Sequence, residues 1–313
     1  MVIIMKIVLK VGGARADWWK DHMAGLLPEY EVFLAEEVVD KDAIDFAVVW
    51  LPEPGWLKSF PNLRCIFSIG SGIDHILRDK ELPQHLPIVR LTGTDLSTRM
   101  REYVVLHVLR LHRRLPEVEV SQKTEEWNQI IEPPANYRTV GVMGLGNLGA
   151  DCAQILSKIG FNVLGWAKSK KVIDGVESFV GSAGFDTFLS KSDIVVCMLP
   201  LTPETTDIMN ASFFKKMKNG ASIINVARGP HLNEKDLLVA IKNKKIRSAT
   251  LDVFHNEPLE KGHPFWKHPD VLVTPHIASL IDPVAGGKAI ADNIKNFVLG
   301  NTIDELIPPG KNY

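Results

Sequence analysis

The stretch TVGVMGLGNLGADCAQILSKIG (139–160) decides how the rest of this chain is read. TVGVM is almost continuously apolar, as a strand covered on both faces requires. Beyond the glycines the stretch opens a helix. Between strand and helix lies G-x-G-x-x-G, at Gly144, Gly146 and Gly149. The first glycine permits a tight turn, the second lets backbone approach a pyrophosphate, and the third lets the helix pack on the strand. The N–H groups of the opening helical turn, with Asn147 and Leu148 in it, then face the phosphates. Alone the motif is weak; the strand before it and the helix after it supply the context that a dinucleotide site needs.

Working outward, short apolar runs alternate with turns and helical patterns, the signature of α/β units around a parallel sheet. One set occupies 6–11, 30–35, 46–51, 64–69 and 87–91; a second occupies 139–144, 161–166, 193–199, 221–226, 248–254 and 271–274. Two sets imply two doubly wound parallel-sheet lobes. One is expected over 1–98, completed by 284–313, and the other over 99–283. Between the sets, 97–115 reads as a long helix capped by Asp95 or Ser97 and stopped by Pro116. Residues 116–138, with Trp127 and a double proline, read as an irregular excursion, either solvated or packed on another subunit. A last helical pattern over 284–299, followed by Gly300, is expected to return to the first lobe.

The second strand after the glycine loop ends in GWAKSKK (165–171). An acid that would bond a ribose 2′-hydroxyl belongs about 20 residues beyond the glycines. Ala167 stands there instead, followed by Lys168, Ser169, Lys170 and Lys171. Cations and a hydroxyl with no carboxylate suit a 2′-phosphate, so NADP(H) is the expected cofactor, with NAD(H) as the alternative. The bland reading is a solvated basic turn.

Ligands of open α/β sheets bind beyond the carboxyl ends of the strands. Arg228 follows ASIINVA, Glu257 follows SATLDVFHN, and His276 follows VLVTP. Each alone could be a surface cation, a solvated acid or a capping histidine. Together they suggest carbonyl reduction. A histidine with an ordinary pKa of about 6.5 gives and takes a proton near neutrality. A carboxylate beside it orients it, and an arginine holds a substrate carboxylate and polarises the adjacent carbonyl. In the first lobe, SIGSGIDHI (68–76) is a second glycine-rich turn, whose backbone at Ser71, Gly72 and Ile73 could grip the same carboxylate.

Bulk properties narrow the field. The 313 residues carry 36 basic and 37 acidic side chains, so no global field draws nucleic acid or an anionic membrane. No apolar run reaches the ~18 residues of a membrane span. Three scattered cysteines and no C-x-x-C argue against a disulfide framework and a metal site, and point to a reducing, cytoplasmic setting. No tyrosine has lysine four residues on, which excludes the short-chain dehydrogenase pattern, and no Cys/His cluster suits a zinc alcohol dehydrogenase. A methyltransferase would want an acid where Ala167 stands. A non-catalytic dinucleotide sensor or corepressor remains the competing class, and formate or phosphite oxidation a competing reaction.

NVARG (225–229), LDVFHNEPL (251–259) and TPHIAS (274–279), after the glycine motif, resemble the D-2-hydroxy-acid dehydrogenases. GSGID (70–74) and LPLTPETT (199–206) extend the likeness. VVWLP (48–52), the GW-x-K-S turn and Trp127 are most similar to the glyoxylate/hydroxypyruvate reductase subgroup. The resemblance implies a flavodoxin-like substrate lobe and a Rossmann cofactor lobe with the active site in a cleft, and a homodimer formed through the cofactor lobes. It implies His276 as acid/base, Glu257 as its partner, Arg228 as substrate anchor and Ser71–Ile73 as carboxylate site. Leu199, Pro200, Thr205, Ala227 and Asp252 would line the nicotinamide side. Where the subgroup is polar or basic before the proline that follows the histidine, this chain has Leu280-Ile281-Asp282-Pro283. An acid at Asp282 is expected to disfavour an additional anionic group on the substrate.

Overall fold

The computed structural model describes residues 4–12, 15–92 and 94–310. Met1–Ile3, read from the sequence as leading into the first strand, lie outside them. Backbone contacts divide the chain into two units: residues up to Leu96 together with those from Ile281 onward, and Ser97–Leu280.

The first unit starts with β1 (Lys6–Lys10), α1 (Ala16–Leu26), β2 (Glu31–Leu34), β3 (Phe46–Val49), β4 (Cys65–Ser68), α2 (Asp74–Leu77) and β5 (Ile88–Arg90). β3 and β4 are buried along their whole length, which is why FAVV and CIFS carry almost no polar residue. The parallel order β5-β4-β3-β1-β2 reverses direction between β1 and β3, a doubly wound arrangement.

The division between units falls inside α3 (Thr94–His112), which leads into the second unit. There follow α4 (Leu115–Lys123), β6 (Thr139–Met143), α5 (Asn147–Ile159), β7 (Asn162–Ala167), β8 (Val176–Val180), α6 (Gly181–Lys191) and β9 (Ile194–Cys197). The unit closes with α7 (Ala211–Lys216), β10 (Ala221–Asn225), α8 (Glu234–Lys242), β11 (Ile246–Leu251) and β12 (Val271–Val273). Its seven strands run in the order β12-β11-β10-β9-β6-β7-β8, all parallel, with apolar cores on both faces. The chain then re-enters the first unit as α9 (Pro283–Leu299) and β13 (Leu306–Ile307), which pairs antiparallel with β5. α9 lies so close to α1 that a Cβ on Gly287 would sit 2.5 Å from the His22 ring.

Two sequence expectations need correction. The long helix starts at Thr94, so Asp95 and Ser97 fall within its first turn and neither caps it; its cap position lies outside the described residues. It ends at His112, before Pro116, because Arg114 adopts a left-handed backbone (φ 53°) that turns the chain. Pro116 is instead the second residue of α4, where its missing N–H has no helical partner to lose. Within the excursion read over 116–138, 124–134 and Arg138 lack regular structure. β8 and β13 are additional edge strands.

Candidate active site

The glycine loop is built as its residue types demand. Gly144 has φ 98°, and a Cβ there would lie 2.6 Å from the Met198 carbonyl oxygen. A Cβ on Gly149 would lie 1.9 Å from the carbonyl oxygen of Gly144, so α5 can start where it does only without a side chain. Gly146 differs: nothing lies within 4 Å of the Cβ position, and Gly146 and Asn147 are exposed with Leu148 half-buried. An open backbone flank at the start of a 13-residue helix is the cradle a pyrophosphate requires, and these residues fit the group.

β7 ends at Ala167, buried in the core, and Lys168, Ser169, Lys170 and Lys171 emerge exposed beyond it. The neighbouring loop holds Glu204, whose carboxyl is lowered by the Thr202 hydroxyl and its own backbone N–H, with the charge of Lys168 adding to the effect. Glu204 is therefore an acid within electrostatic reach of the basic turn. In the same loop Leu199 is buried and Pro200 exposed, and the Pro200 carbonyl accepts the Thr205 hydroxyl at 2.7 Å. Thr205 Oγ1 in turn accepts the Thr202 N–H, which closes the loop on itself.

The strand-end side chains converge within the second unit. Glu257 Oε2 lies 2.6 Å from His276 Nδ1, and Glu257 Oε1 accepts the Phe254 N–H at 2.9 Å. Burial alone would raise the Glu257 carboxyl; the hydrogen bonds from His276 and Phe254, then the charges of His276 and Arg228, outweigh it and leave the net shift downward. Arg228 thus acts on the same carboxylate electrostatically. Its own guanidinium donates to the Ala227 carbonyl at 2.7 Å. A Cβ on Gly229 would overlap the Phe254 backbone at 1.9 Å, so the loop carrying Arg228 presses directly on the loop carrying Glu257.

His276 has a left-handed backbone, φ 54°, uncommon for a residue with a side chain. Its N–H donates to the Asp252 carbonyl at 2.9 Å and the Thr274 carbonyl at 3.1 Å. The Asp252 carboxylate accepts the Thr274 hydroxyl at 2.5 Å, the Ile277 N–H at 2.9 Å and the Ala278 N–H at 2.8 Å. Asp252 is 1% exposed, and both of its oxygens are engaged with the histidine loop. Burial pushes its carboxyl above the usual range, and the three hydrogen bonds and the charge of His276 oppose that rise.

One participant has no sequence motif. His231 is fully buried, with Nδ1 3.2 Å from the Arg228 N–H and Nε2 3.2 Å from the Pro200 carbonyl. The same Nδ1 lies 3.0 Å from the Arg228 carbonyl, so the ring is held against both polar groups of that residue's backbone. It ties the Arg228 backbone to the loop that begins at Leu199.

In the other unit, Ser71 and Gly72 are half-buried in the turn after β4, and Ile73 is buried at the start of α2. A Cβ on Gly70 would meet the Trp50 ring at 2.4 Å, so an aromatic wall backs this turn. Asp282 serves the fold, since its carboxylate accepts the Val284 N–H at 2.6 Å and caps α9. Among the described residues no cluster of His, Cys, Asp and Glu is arranged to hold a metal ion, and no helix is long and apolar enough to cross a membrane.

A glycine loop on a seven-stranded Rossmann-type sheet, with a histidine–carboxylate pair at the strand ends, defines a nicotinamide-dependent oxidoreductase of 2-hydroxy acids. The family model of the D-isomer specific 2-hydroxyacid dehydrogenase NAD-binding domain matches residues 105–278, and the chain belongs to that family. It is 39% identical over 292 residues to a glyoxylate/hydroxypyruvate reductase A of Serratia proteamaculans, covering 92% of this chain and 93% of the relative. Among solved structures, the NADPH-dependent glyoxylate/hydroxypyruvate reductase of Sinorhizobium meliloti with NADP and sulfate superposes with a TM-score of 0.92 at 36% identity, over 99% of this chain and 100% of the other. A D-isomer specific 2-hydroxyacid dehydrogenase of Xanthobacter autotrophicus Py2 with NADPH and MES gives a TM-score of 0.91 at 36% identity, with the same coverage.

Proposed function

We propose that this protein reduces a small 2-keto acid of the glyoxylate or hydroxypyruvate kind to the 2-hydroxy acid, with NADPH as the preferred cofactor. The observation that carries the reading is the 2.6 Å contact between Glu257 and His276 at the end of the Rossmann-type sheet. With Nδ1 engaged by Glu257, the transferable proton of the imidazolium sits on Nε2. His276 delivers that proton to the substrate carbonyl oxygen as it gains negative charge, and Glu257 steadies the ring in both charge states. Arg228 anchors the substrate carboxylate and polarises the carbonyl, and the Ser71–Ile73 turn supplies further N–H donors to that carboxylate. The nicotinamide, when bound, supplies the hydride. Gly144, Gly146, Asn147, Leu148 and Gly149 would hold its pyrophosphate, and Leu199, Pro200, Thr205, Ala227 and Asp252 its nicotinamide side.

Lys168, Ser169 and Lys170 are assigned to the 2′-phosphate, with Ala167 contributing by carrying no carboxylate. The NADP and NADPH complexes of the two structural relatives support this choice. The test is NADPH oxidation with glyoxylate, hydroxypyruvate and pyruvate, beside the His276→Ala variant. Turnover that the variant abolishes is expected; turnover that survives it would remove His276 from its role. Wild-type protein that binds NADPH tightly and turns over no 2-keto acid would favour a sensor instead.

The protein is further proposed to act as a homodimer through its second unit. Trp127 and Ile131 are each 93% exposed, beside a surface cavity of about 510 Å³ lined in part by Pro116, Val120 and Ile130. An exposed aromatic and an exposed aliphatic side chain grouped beside a surface cavity support an interaction face there. Sedimentation of wild type and Trp127→Glu tests it, the variant being expected to shift toward monomer.

A further inference from the structure

The left-handed backbone at His276 raises a question of support. A residue with a side chain held there costs on the order of 1 kcal/mol or more and persists only where its surroundings over-determine it. Here three consecutive N–H groups, of His276, Ile277 and Ala278, all end on Asp252, the first on its carbonyl and the others on its carboxylate. The Thr274 hydroxyl donates its single hydrogen to the same carboxylate at 2.5 Å. Its oxygen therefore accepts from the Tyr103 hydroxyl, 2.6 Å away, because a hydroxyl has only one hydrogen to give. Tyr103 is itself 8% exposed in α3, with its ring packed 4.2 Å from that of His107.

On the reading that His276 is the acid/base, we infer that Tyr103 is a positioning residue for the reaction, acting through Thr274 and Asp252 on the His276 backbone. Its hydroxyl fixes the Thr274 side chain in the one rotamer that reaches Asp252. Thr274 then holds the carboxylate square to the Ile277 and Ala278 N–H groups. Without the tyrosine hydroxyl, Thr274 can turn its hydrogen elsewhere, and the loop loses one of the restraints on its left-handed turn. A misplacement of a proton donor by a fraction of an ångström lowers turnover while leaving binding largely intact.

The full-length enzyme tests this directly. Tyr103→Phe and Thr274→Val are each expected to lower kcat about tenfold, the equivalent of one buried hydrogen bond, with KM for keto acid and cofactor within about twofold. Thr274→Ser, which keeps the hydroxyl, is expected to retain near wild-type kcat, and the Tyr103→Phe/Thr274→Val double variant to lose no more than either single one. Unchanged kcat in Tyr103→Phe, losses that multiply in the double variant, or a Thr274→Ser enzyme as slow as Thr274→Val would each overturn the assignment. His276→Ala, assayed alongside, separates the two readings. If it is inactive while Tyr103→Phe is unimpaired, only the Tyr103 assignment falls. If it stays active, the acid/base reading falls and this assignment with it.

Discussion

Glu257 Oε2 and His276 Nδ1 lie 2.6 Å apart, although 19 positions separate the two residues and each arrives from a different strand end. The net downward shift of Glu257 means that the carboxylate stays charged to lower pH than an ordinary glutamate. Replacing it by Gln keeps the shape and removes the charge. Glu257→Gln is expected to lower kcat/KM on the order of 100-fold, measured with NADPH and the best 2-keto acid. The pair also bears on stability. The folded pKa lies below the unfolded value, so its contribution is present above the unfolded pKa and is lost as pH falls through the folded one. Unfolding transitions of wild type and Glu257→Gln should therefore converge as the pH is lowered below the ordinary carboxylate range.

Cofactor choice should move with the basic turn. Ala167→Asp combined with Lys168→Ala places a carboxylate where a 2′-phosphate would sit and removes a cation. The loss of one charge-assisted hydrogen bond at roughly 1.5–3 kcal/mol, with repulsion from the new carboxylate added, amounts to about 10²-fold or more. The ratio of kcat/KM for NADPH over NADH should fall by that order. A ratio that does not change would reduce the turn to a solvated surface. Glu204→Gln, removing the acid within reach of Lys168, should shift the ratio modestly the other way.

Gly149 admits no side chain, since its Cβ would overlap the Gly144 carbonyl at 1.9 Å. Backbone on both sides of the contact must move if Ala is introduced. Gly149→Ala is expected to lower stability by about 1–3 kcal/mol and to weaken cofactor binding, read by thermal unfolding and by titration of NADPH fluorescence. Gly146→Ala, at an open position, should spare the fold and affect cofactor binding alone.

His107 gives the protein an acid-sensitive core. Burial, with the charge of Arg110 assisting, lowers its pKa to about 4, and its Nδ1 has no hydrogen-bond partner among the described residues. The unfolded chain therefore binds the proton that the folded one refuses. Stability is full above an unfolded pKa of about 6.5 and declines as pH falls toward 4, by up to about 3 kcal/mol. His107→Leu should flatten that part of the stability profile relative to wild type.

What can be read from the sequence divides along a physical line. Strands buried on both faces, such as β3 and β9, announce themselves as unbroken apolar runs, and the glycine spacing marks the β6–α5 turn. β8 escapes such a reading for the opposite reason: VESFV alternates without a clean apolar face, because it lies at a sheet edge and is nowhere fully buried. Pro116 reads equally well as a stop or a start, because a proline ends one helix and opens another with the same chemistry; the left-handed Arg114 that separates the two has no signature in residue type. Arg228, Glu257 and His276 stand out because strand ends are legible. Tyr103, Thr274 and His231 do not, since hydrogen bonds spanning 171 or 31 positions leave no local pattern.

The return of the chain to its first unit also has a temporal consequence. α9, which rests on α1, and β13, which finishes the edge beside β5, follow the contiguous Ser97–Leu280 in chain order and so leave the ribosome after it. The unit that opens before Ser97 is thus completed only after Ser97–Leu280 has been made, and until then the face of α1 that α9 covers awaits its cover. Any chain that terminates early at Leu280 would carry a finished nucleotide-type sheet beside an unfinished one, a species built to aggregate and be degraded.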